Sequence, residues 1–146
     1  MKVFEIKNGI IEYDEATPCV IAKFTGFMPS EDFRVFLLQG LDFLVNEMNK
    51  TGKEILWLAD TRSHSVQSAE DTKWVSQEWN PKAFKNGLRH VAFVLPEKIF
   101  GQMAINNYAK ENDQSKENQM KIKMFNSPLK AKNWFKEIKK LDSVNI

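Results

Sequence analysis

The chain has 146 residues, of which 42% are hydrophobic and 27% charged, and its formal net charge is +2 at pH 7. These values are ordinary for one globular domain, and eleven Phe and four Trp argue against disorder. A charge this small, without dense arginine clusters, predicts no nucleic-acid binding. No apolar run approaches the roughly 20 residues that span a bilayer, so no membrane span is predicted.

The cysteine content and the first residues indicate the compartment. Cys19 is the only cysteine, which excludes an intrachain disulfide and a zinc site built from cysteines. The first residues carry charges throughout and lack the apolar stretch of a signal peptide. We therefore expect a cytoplasmic protein that folds as a single domain over residues 1–146.

The chain is predicted to open with a β-hairpin and a third strand. Val3–Ile6 and Ile10–Tyr13 flank Asn8-Gly9, a dipeptide typical of hairpin turns because it adopts positive φ at little cost. Cys19–Phe24 is more apolar, as expected of an interior strand.

A long helix is predicted to follow these strands. It begins at Pro29-Ser30, ends at Thr51-Gly52, and carries apolar residues at helical spacing. These residues are Phe33, Phe36, Leu37, Leu41, Leu44 and Met48. Gly40 lies at the edge of this apolar stripe, and we expect it to let the helix approach the sheet closely.

The central segment of the chain predicts a buried strand, a polar loop and a capped helix. Ile55–Ala59 is a short apolar run, which suits a strand covered on both faces. Asp60 is predicted to end this strand. Ser68 is a candidate N-cap, and Asp71 completes a box-like cap, so a helix should start near Ala69.

The second half of the chain repeats the alternation of strand and helix. Leu88–Leu95 and Met120–Phe125 are predicted strands, and a helix is predicted from Ile99 to about Glu111, with a polar loop before Met120. Ser127-Pro128 begins a final helix, which is predicted to bury Ala131, Trp134, Phe135, Ile138 and Leu141. The order β-β-β-α-β-α-β-α-β-α predicts an α/β fold with a mixed sheet whose last four strands are parallel.

Several segments in this order resemble one family. They are ILWLADTR, then Trp74 and EWNP, then LRHVAFVLP, then MKIKMFNSPLKAKNWF. The chain resembles the bacterial SpoIIAA-like family, which is related to the STAS domain (sulphate transporter and anti-sigma-factor antagonist). The resemblance implies a STAS-like fold with helices mainly on one side of the sheet and a non-enzymatic regulatory or interaction role. The related lipid-carrying SEC14-like domains imply that an apolar ligand could lie beneath a helix.

The resemblance also raises the question of a phosphorylated serine. In anti-sigma-factor antagonists a serine of an Asp-Ser-Ser-Gly type motif is phosphorylated at the start of the helix after the central strand. This chain has Asp60-Thr61-Arg62-Ser63 there and a longer loop to Ser68. Because the motif is absent, Ser63, Ser65 and Ser68 are not expected to form a kinase-dependent switch.

Polar side chains gather after the predicted central strand, where loops leaving parallel strands usually form the binding crevice. Trp74 and Trp79 are about 140° apart on a regular helix, so only one is expected to face the sheet. The other could contact a partner, as half-exposed tryptophans often do. The predicted binding residues are Asp60, Arg62, Ser63, His64, Ser65, Ser68, Trp74 and Trp79.

The remaining chemistry-bearing residues do not predict an enzyme. His64 and His90 have no carboxylate or cysteine close to them in the sequence, so no catalytic residues, metal or cofactor are predicted. His90 is expected to be satisfied within the fold, and Cys19 to be a core residue. Asp60 is either a capping acid for the amides of residues 61–63 or a polar anchor for a ligand.

Two functions from different classes stay open, with a hydrolase as a third. One is a regulatory domain that presents the face from Asp60 to Trp79 to a protein partner. The other is a carrier or sensor of a small apolar ligand in a pocket under the Trp74 helix. A homodimer is also left open. The lysines of the final helix, Lys132, Lys136, Lys139 and Lys140, are expected to form a solvated outer face.

Overall fold

The computed structural model describes residues 1–65, 67–100 and 120–144, and its strands form one mixed sheet. The strands are β1 (Lys2–Ile6), β2 (Gly9–Asp14), β3 (Cys19–Gly26), β4 (Leu56–His64), β5 (His90–Val94) and β6 (Lys121–Phe125). They lie in the sheet in chain order. The first two pairings are antiparallel and the last three are parallel. The predicted mixed sheet, with its last four strands parallel, is confirmed.

The helices cover both faces of this sheet. They are α1 (Ser30–Thr51), α2 (Ala69–Trp74), a π-helical turn (Val75–Trp79), α3 (Asn80–Lys85) and α4 (Pro128–Val144). The segment from α2 to α3 continues without a break, and we call residues 69–85 the interrupted helix. None of the described helices combines the length and the apolarity needed to cross a membrane. Apart from Ile99 and Phe100, the helix predicted after β5 and the polar loop that follows it lie outside the described residues.

The opening hairpin is confirmed, with a turn one residue earlier than its sequence motif. Ile6 pairs with Gly9, so Lys7 and Asn8 form the two-residue loop, and Asn8 has a φ of 69°. Gly9 is needed for a different reason. A Cβ atom there would lie 2.7 Å from the Phe36 ring, so glycine allows α1 to pack on this strand.

Two apolar layers form the core, one on each face of the sheet. The larger layer packs alternate residues of β2 to β5 against α1 and the interrupted helix, and it contains Phe36, Trp57 and Trp79. The smaller layer packs the other residues of these strands and β6 against α4, through Ala131 and Phe135. This alternation follows from the two-residue period of a strand, which directs successive side chains to opposite faces.

Close contact between α1 and the sheet depends on Gly40, as predicted. A Cβ atom at Gly40 would lie 2.5 Å from Cη2 of Trp57, a distance that real side chains do not tolerate. The Trp57 ring therefore fills the space that a side chain at Gly40 would occupy. Through this contact the Trp57 ring links β4 to α1, which lies over β1 to β3.

The central strand is longer than predicted. β4 continues through Asp60 to His64, because a register shift between Lys23 and Thr25 of β3 lets Thr25 pair with Ser63 and Gly26 with His64. The prediction that Asp60 ends the strand is therefore wrong. Hydrophobicity stops at Ala59, but backbone pairing does not require apolar side chains, so the strand extends past the apolar layers.

The final helix differs from its prediction in two respects. Leu141 was expected in the core but is 63% exposed. Two of the lysines expected on a solvated face have partners, since Lys132 pairs with Asp14 at 2.8 Å and Lys139 donates to the Glu54 carbonyl. Lys132 and Lys139 thus connect α4 to the end of β2 and to the residues before β4.

Candidate functional site

A cavity of about 320 Å³ lies between the sheet and the interrupted helix. Its floor comes from β3, β4, β5 and β6, and its roof from α1 and the interrupted helix. Most of the lining is aromatic or aliphatic. The lining residues are Phe24, Phe33, Leu37, Trp57, Ala59, Thr61, His64, Gln67, Thr72, Val75, Ser76, Trp79, Asn80, Val91, Phe93 and Ile122. A volume near 300 Å³ is at the lower end of the range for small-molecule sites.

The roof contains a π-helical turn because of a proline. Pro81 lacks an amide hydrogen, and in a regular α-helix its ring would collide with the carbonyl of Gln77, four residues back. The chain widens instead, so that the amide of Asn80 donates to the carbonyl of Val75, five residues back. Such turns are frequent at functional sites. Here the wide turn carries Val75, Ser76 and Trp79 to the cavity wall.

His64 and Gln67 bring two hydrogen-bond acceptors to the cavity wall. Nδ1 of His64 lies 3.1 Å from the Gly26 carbonyl, so this nitrogen carries the hydrogen and Nε2 has a free lone pair. Nε2 of His64 and Oε1 of Gln67 are both buried without a hydrogen-bond partner. We call these two atoms the acceptor pair. Buried polar atoms are nearly always satisfied in folded proteins, so these two are exceptions, and neither is accessible from the cavity.

The orientation of the Gln67 amide is determined by its other contacts. Its Nε2 donates to the Met28 carbonyl at 2.9 Å and to the Asp71 carboxylate at 2.6 Å. Both partners are acceptors, so a flipped amide would place Oε1 against two oxygens. Oε1 is therefore held in the acceptor pair.

The buried carboxylate of Asp71 lies next to Gln67 at one end of the cavity. Its carboxylate is fully buried and accepts hydrogen bonds from Ser30, Gln67 and Arg34. Burial alone would raise the pKa of Asp71, but these hydrogen bonds outweigh it and lower the pKa. Its amide also donates to the Ser68 hydroxyl, which confirms Ser68 as the N-cap of α2. The carboxylate does not close the predicted capping box; it joins the start of α1 to the start of α2.

Besides Gln67, three side-chain donors among the described lining residues are already used within the protein, two inside the fold and one on the exposed side of α2. The Thr61 hydroxyl donates to the Val94 carbonyl at 2.9 Å, and the Trp79 indole donates to the Leu37 carbonyl at 2.9 Å. The Thr72 hydroxyl donates to the Ser68 carbonyl. Ser76 is exposed and Asn80 half-buried, so uncommitted polar groups lie toward the rim.

The described cavity wall carries no formal charge. None of its sixteen residues is Lys, Arg, Asp or Glu, and His64 is its one titratable member. Burial lowers the pKa of His64, although the Gly26 carbonyl and Gln67 oppose the shift. The imidazole is packed against Phe24 and Phe33, with ring centroids 4.8 and 6.5 Å away. At neutral pH the imidazole is therefore uncharged.

The lowered pKa of His64 predicts a loss of stability in mild acid. In the unfolded chain this imidazole takes up a proton near its ordinary pKa of about 6.5, and in the folded chain only at lower pH. The free energy of unfolding should therefore fall as the pH drops from about 7 to about 5, by less than about 1.4 kcal/mol per pH unit. Denaturant unfolding at several pH values measures this. In His64→Phe the slope should flatten; an unchanged slope would contradict the assignment.

The structure does not bring the predicted binding residues together in one site. Asp60 and Arg62 lie on the α4 face of the sheet, because Asp60 pairs in register with Val94, whose side chain belongs to the α4 layer. They form a bidentate ion pair with both N–O distances at 2.9 Å, and Asp60 also accepts from the amide of Arg62. Asp60 therefore caps local structure, one of its two predicted roles. Ser63 and Ser65 are exposed.

His64 and Trp79 are the predicted residues that line the cavity. Trp79 is 4% exposed and contacts the Trp57 ring, whereas Trp74 is half-buried beneath the Arg34 guanidinium. The prediction that only one of the two tryptophans faces the sheet is confirmed. The expected rim combining Asp60 with Trp74 does not form, because they lie on opposite sides of the sheet.

Two further residues behave as expected. His90 is satisfied by the Glu54 carboxylate at 2.8 Å, a partner brought close only by folding. That hydrogen bond lowers the pKa of Glu54. Cys19 is fully buried, and burial raises the pKa of its thiol to about 12, so it is an unreactive core residue. Within the described ranges, no group of three or more His, Cys, Asp or Glu residues could hold a metal ion.

Sequence reasoning missed Gln67 and most of the cavity wall. Gln67 gave no signal, since a lone glutamine in a polar loop is ordinary. The π-helical turn did have a signal, because Pro81 stands inside a segment whose helical pattern continues beyond it. A helix that accommodates an internal proline must bend or widen, and either change opens space beneath it.

Comparison with known proteins supports the fold. No protein-family model and no curated protein sequence matches the chain. A solved structure from Shewanella loihica PV-4, an uncharacterized protein from the DUF3478 family with a SpoIIAA-like fold, does match. It is 18% identical, with a TM-score of 0.54 over 87% of this chain and 91% of that one. The chain therefore has a SpoIIAA-like α/β fold, as its sequence motifs implied.

Proposed function

We propose that this domain binds a small, mostly apolar and uncharged molecule in the cavity beneath the interrupted helix. The observation that carries the proposal is the cavity itself, with a mostly apolar wall and a π-helical roof. A domain that needed only a packed core would fill such a space, because protein interiors are close-packed. The proposed role is a carrier or a sensor, without catalysis.

The shape of the wall favours a ligand that contains a ring. Besides His64, five of the described lining residues are aromatic, namely Phe24, Phe33, Trp57, Trp79 and Phe93. Rings pack well against flat or edge-on rings, which adds roughly 0.5–1.5 kcal/mol per pair to the burial of area. A cavity of 150 Å³ accepts benzene, so about 320 Å³ has room for a molecule with two fused rings.

Filling the cavity from its floor should abolish binding and leave the fold intact. In Ala59→Phe the new ring projects into the cavity, so we expect the free energy of unfolding to change by less than about 1 kcal/mol. Calorimetric titration with 2-naphthol should show one-to-one binding to the unmodified protein and none to this variant.

Ala22→Phe is the matched control. Ala22 is the in-register neighbour of Ala59 on β3 and is fully buried, but it does not line the cavity. The added ring has no space there, and overpacking should cost about 2–3 kcal/mol. Equal losses of stability in the two variants would show that the cavity is not open to side chains, and undiminished binding to Ala59→Phe would place the ligand elsewhere.

The second class of function, recognition of a protein partner, is supported by the SpoIIAA-like fold. The single binding surface predicted from Asp60 to Trp79 does not form, because Asp60 and Arg62 lie on the opposite face of the sheet from the interrupted helix. On the α4 side Arg62 and Ser63 are still exposed, and on the other side Trp74 is still half-exposed. Partner binding and a homodimer therefore stay predictions with two separate candidate surfaces, and the cavity is the more specific feature.

A further inference from the structure

We propose that the ligand carries its polar group at one end only, and that this group is a hydroxyl or an amide held at the rim of the cavity by Ser76 and Asn80. The other end of the ligand is apolar and fills the interior. This inference rests on the proposed function and adds the chemical class and the orientation of the ligand. Its basis is the uneven distribution of polar side chains along the cavity wall.

Three polar side chains of the described wall form one row on the interrupted helix. Thr72, Ser76 and Asn80 follow one another at four-residue spacing, and all three line the cavity. Thr72 and Ser76 are exposed and Asn80 is half-buried, so we call this row the polar rim. The Thr72 hydroxyl donates to the Ser68 carbonyl, whereas Ser76 and Asn80 have no side-chain hydrogen bond within the described part of the chain. Two polar side chains at the opening are therefore available to a ligand.

The most buried residues of the described wall offer a ligand no side-chain acceptor. Four lining residues are less than 5% exposed, and their side chains are aromatic or aliphatic, namely Trp57, Ala59, Trp79 and Val91. The acceptor atoms of His64 and Gln67 are not accessible from the cavity. A ligand hydroxyl or amide placed at this end would lose its water and leave its own hydrogen without an acceptor, which is costly.

The chemistry of the polar rim selects the kind of polar group. A serine hydroxyl both donates and accepts, and an asparagine amide has two donor hydrogens and one acceptor oxygen. Ser76 and Asn80 can therefore complete the hydrogen bonds of a ligand hydroxyl or of a ligand amide. The residues of the polar rim carry no formal charge, so the rim suits a neutral group better than an ionised one.

Two naphthalene probes test the orientation by calorimetric titration. 2-Naphthol has a hydroxyl at one end of its long axis, and 2,6-dihydroxynaphthalene has a hydroxyl at each end. We expect 2-naphthol to bind about tenfold more tightly, because the second hydroxyl of the other probe must enter the interior without an acceptor. Equal or higher affinity of 2,6-dihydroxynaphthalene would overturn the inference, while the proposed function would stand. Failure of both probes to bind would overturn both proposals.

Substitutions at the polar rim locate the polar group of the ligand. In the double variant Ser76→Ala with Asn80→Ala, 2-naphthol should bind about tenfold more weakly, whereas 2-methylnaphthalene, which has a similar shape and no hydroxyl, should bind as before. Gln77→Ala is the control and should change neither affinity, because Gln77 is exposed on the same helix but does not line the cavity. A loss that is no larger for 2-naphthol than for 2-methylnaphthalene would overturn the inference. The two-probe comparison on the unmodified protein decides the orientation even if the double variant fails to fold.

Discussion

Trp57→Ala is expected to lower the free energy of unfolding by about 3–5 kcal/mol, the usual cost of deleting a core aromatic side chain. Trp57 is 2% exposed near the amino end of β4, where its ring occupies the space left by Gly40 and its centroid lies 4.8 Å from that of the Trp79 ring. Removing it leaves a void at the contact between α1 and the sheet. Close-packed neighbours collapse only partly into such a void.

Trp74→Ala is the matched comparison for this prediction. Trp74 is half-buried on the interrupted helix. The Arg34 guanidinium lies over its ring in a cation–π contact, 5.3 Å from the ring centroid. Removing it should cost about 1 kcal/mol, because less area is lost from the core and cation–π contacts at exposed sites contribute about 0.5–1 kcal/mol. Denaturant midpoints measure both variants. Equal shifts of the two midpoints would mean that β4 is not the packed centre of the sheet.

Asp71→Ala should destabilise the protein by about 3 kcal/mol. The carboxylate is fully buried, and its removal leaves the Ser30 hydroxyl, the Gln67 amide and the Arg34 guanidinium without their shared acceptor. Breaking a buried charged network from one side usually costs about 3–5 kcal/mol, because the remaining polar groups cannot regain water. Partial exposure of Arg34 places the expected value at the lower limit.

Glu70→Ala provides the control for the Asp71 variant. Glu70 lies beside Asp71 in the first turn of α2 and is exposed, so it shares the interaction with the helix dipole but not the buried network. Its removal should cost less than about 1 kcal/mol. Urea unfolding followed by tryptophan fluorescence compares the two variants. If their losses were equal, Asp71 would contribute only as a charge at the helix terminus.

The Asp71 network also bears on the cavity. It joins the start of α1, the loop before α2 and Gln67, so it holds one end of the roof to the rest of the fold. Loss of Asp71 would leave the Gln67 amide hydrogen-bonded to the Met28 carbonyl alone. The stability of the fold and the position of one end of the cavity roof are therefore linked through one carboxylate.

Local patterns in the sequence determined the class of fold. Alternating and helical hydrophobic periods, Asn8-Gly9, Gly40 and Ser68 each specify conformation or packing through residues close in the chain or through their size, so the hairpin, α1, the mixed sheet and the N-cap of α2 were predicted. The SpoIIAA-like motifs pointed to the same fold. These features could be predicted from the sequence because each depends on residues that are close together in the chain.

Tertiary structure alone decided the site. β4 has one extra residue where Asp60–Ser63 lies opposite Lys23–Thr25 of β3, and this interruption of the two-residue period sends Asp60 and Arg62 to one face and both Thr61 and His64 to the other. The orientation of the Gln67 amide is fixed by hydrogen bonds to Met28 and Asp71, and Met28 is distant in the chain. A cavity is space between elements distant in the chain, and its volume depends on how closely they pack, which no local pattern of residues specifies.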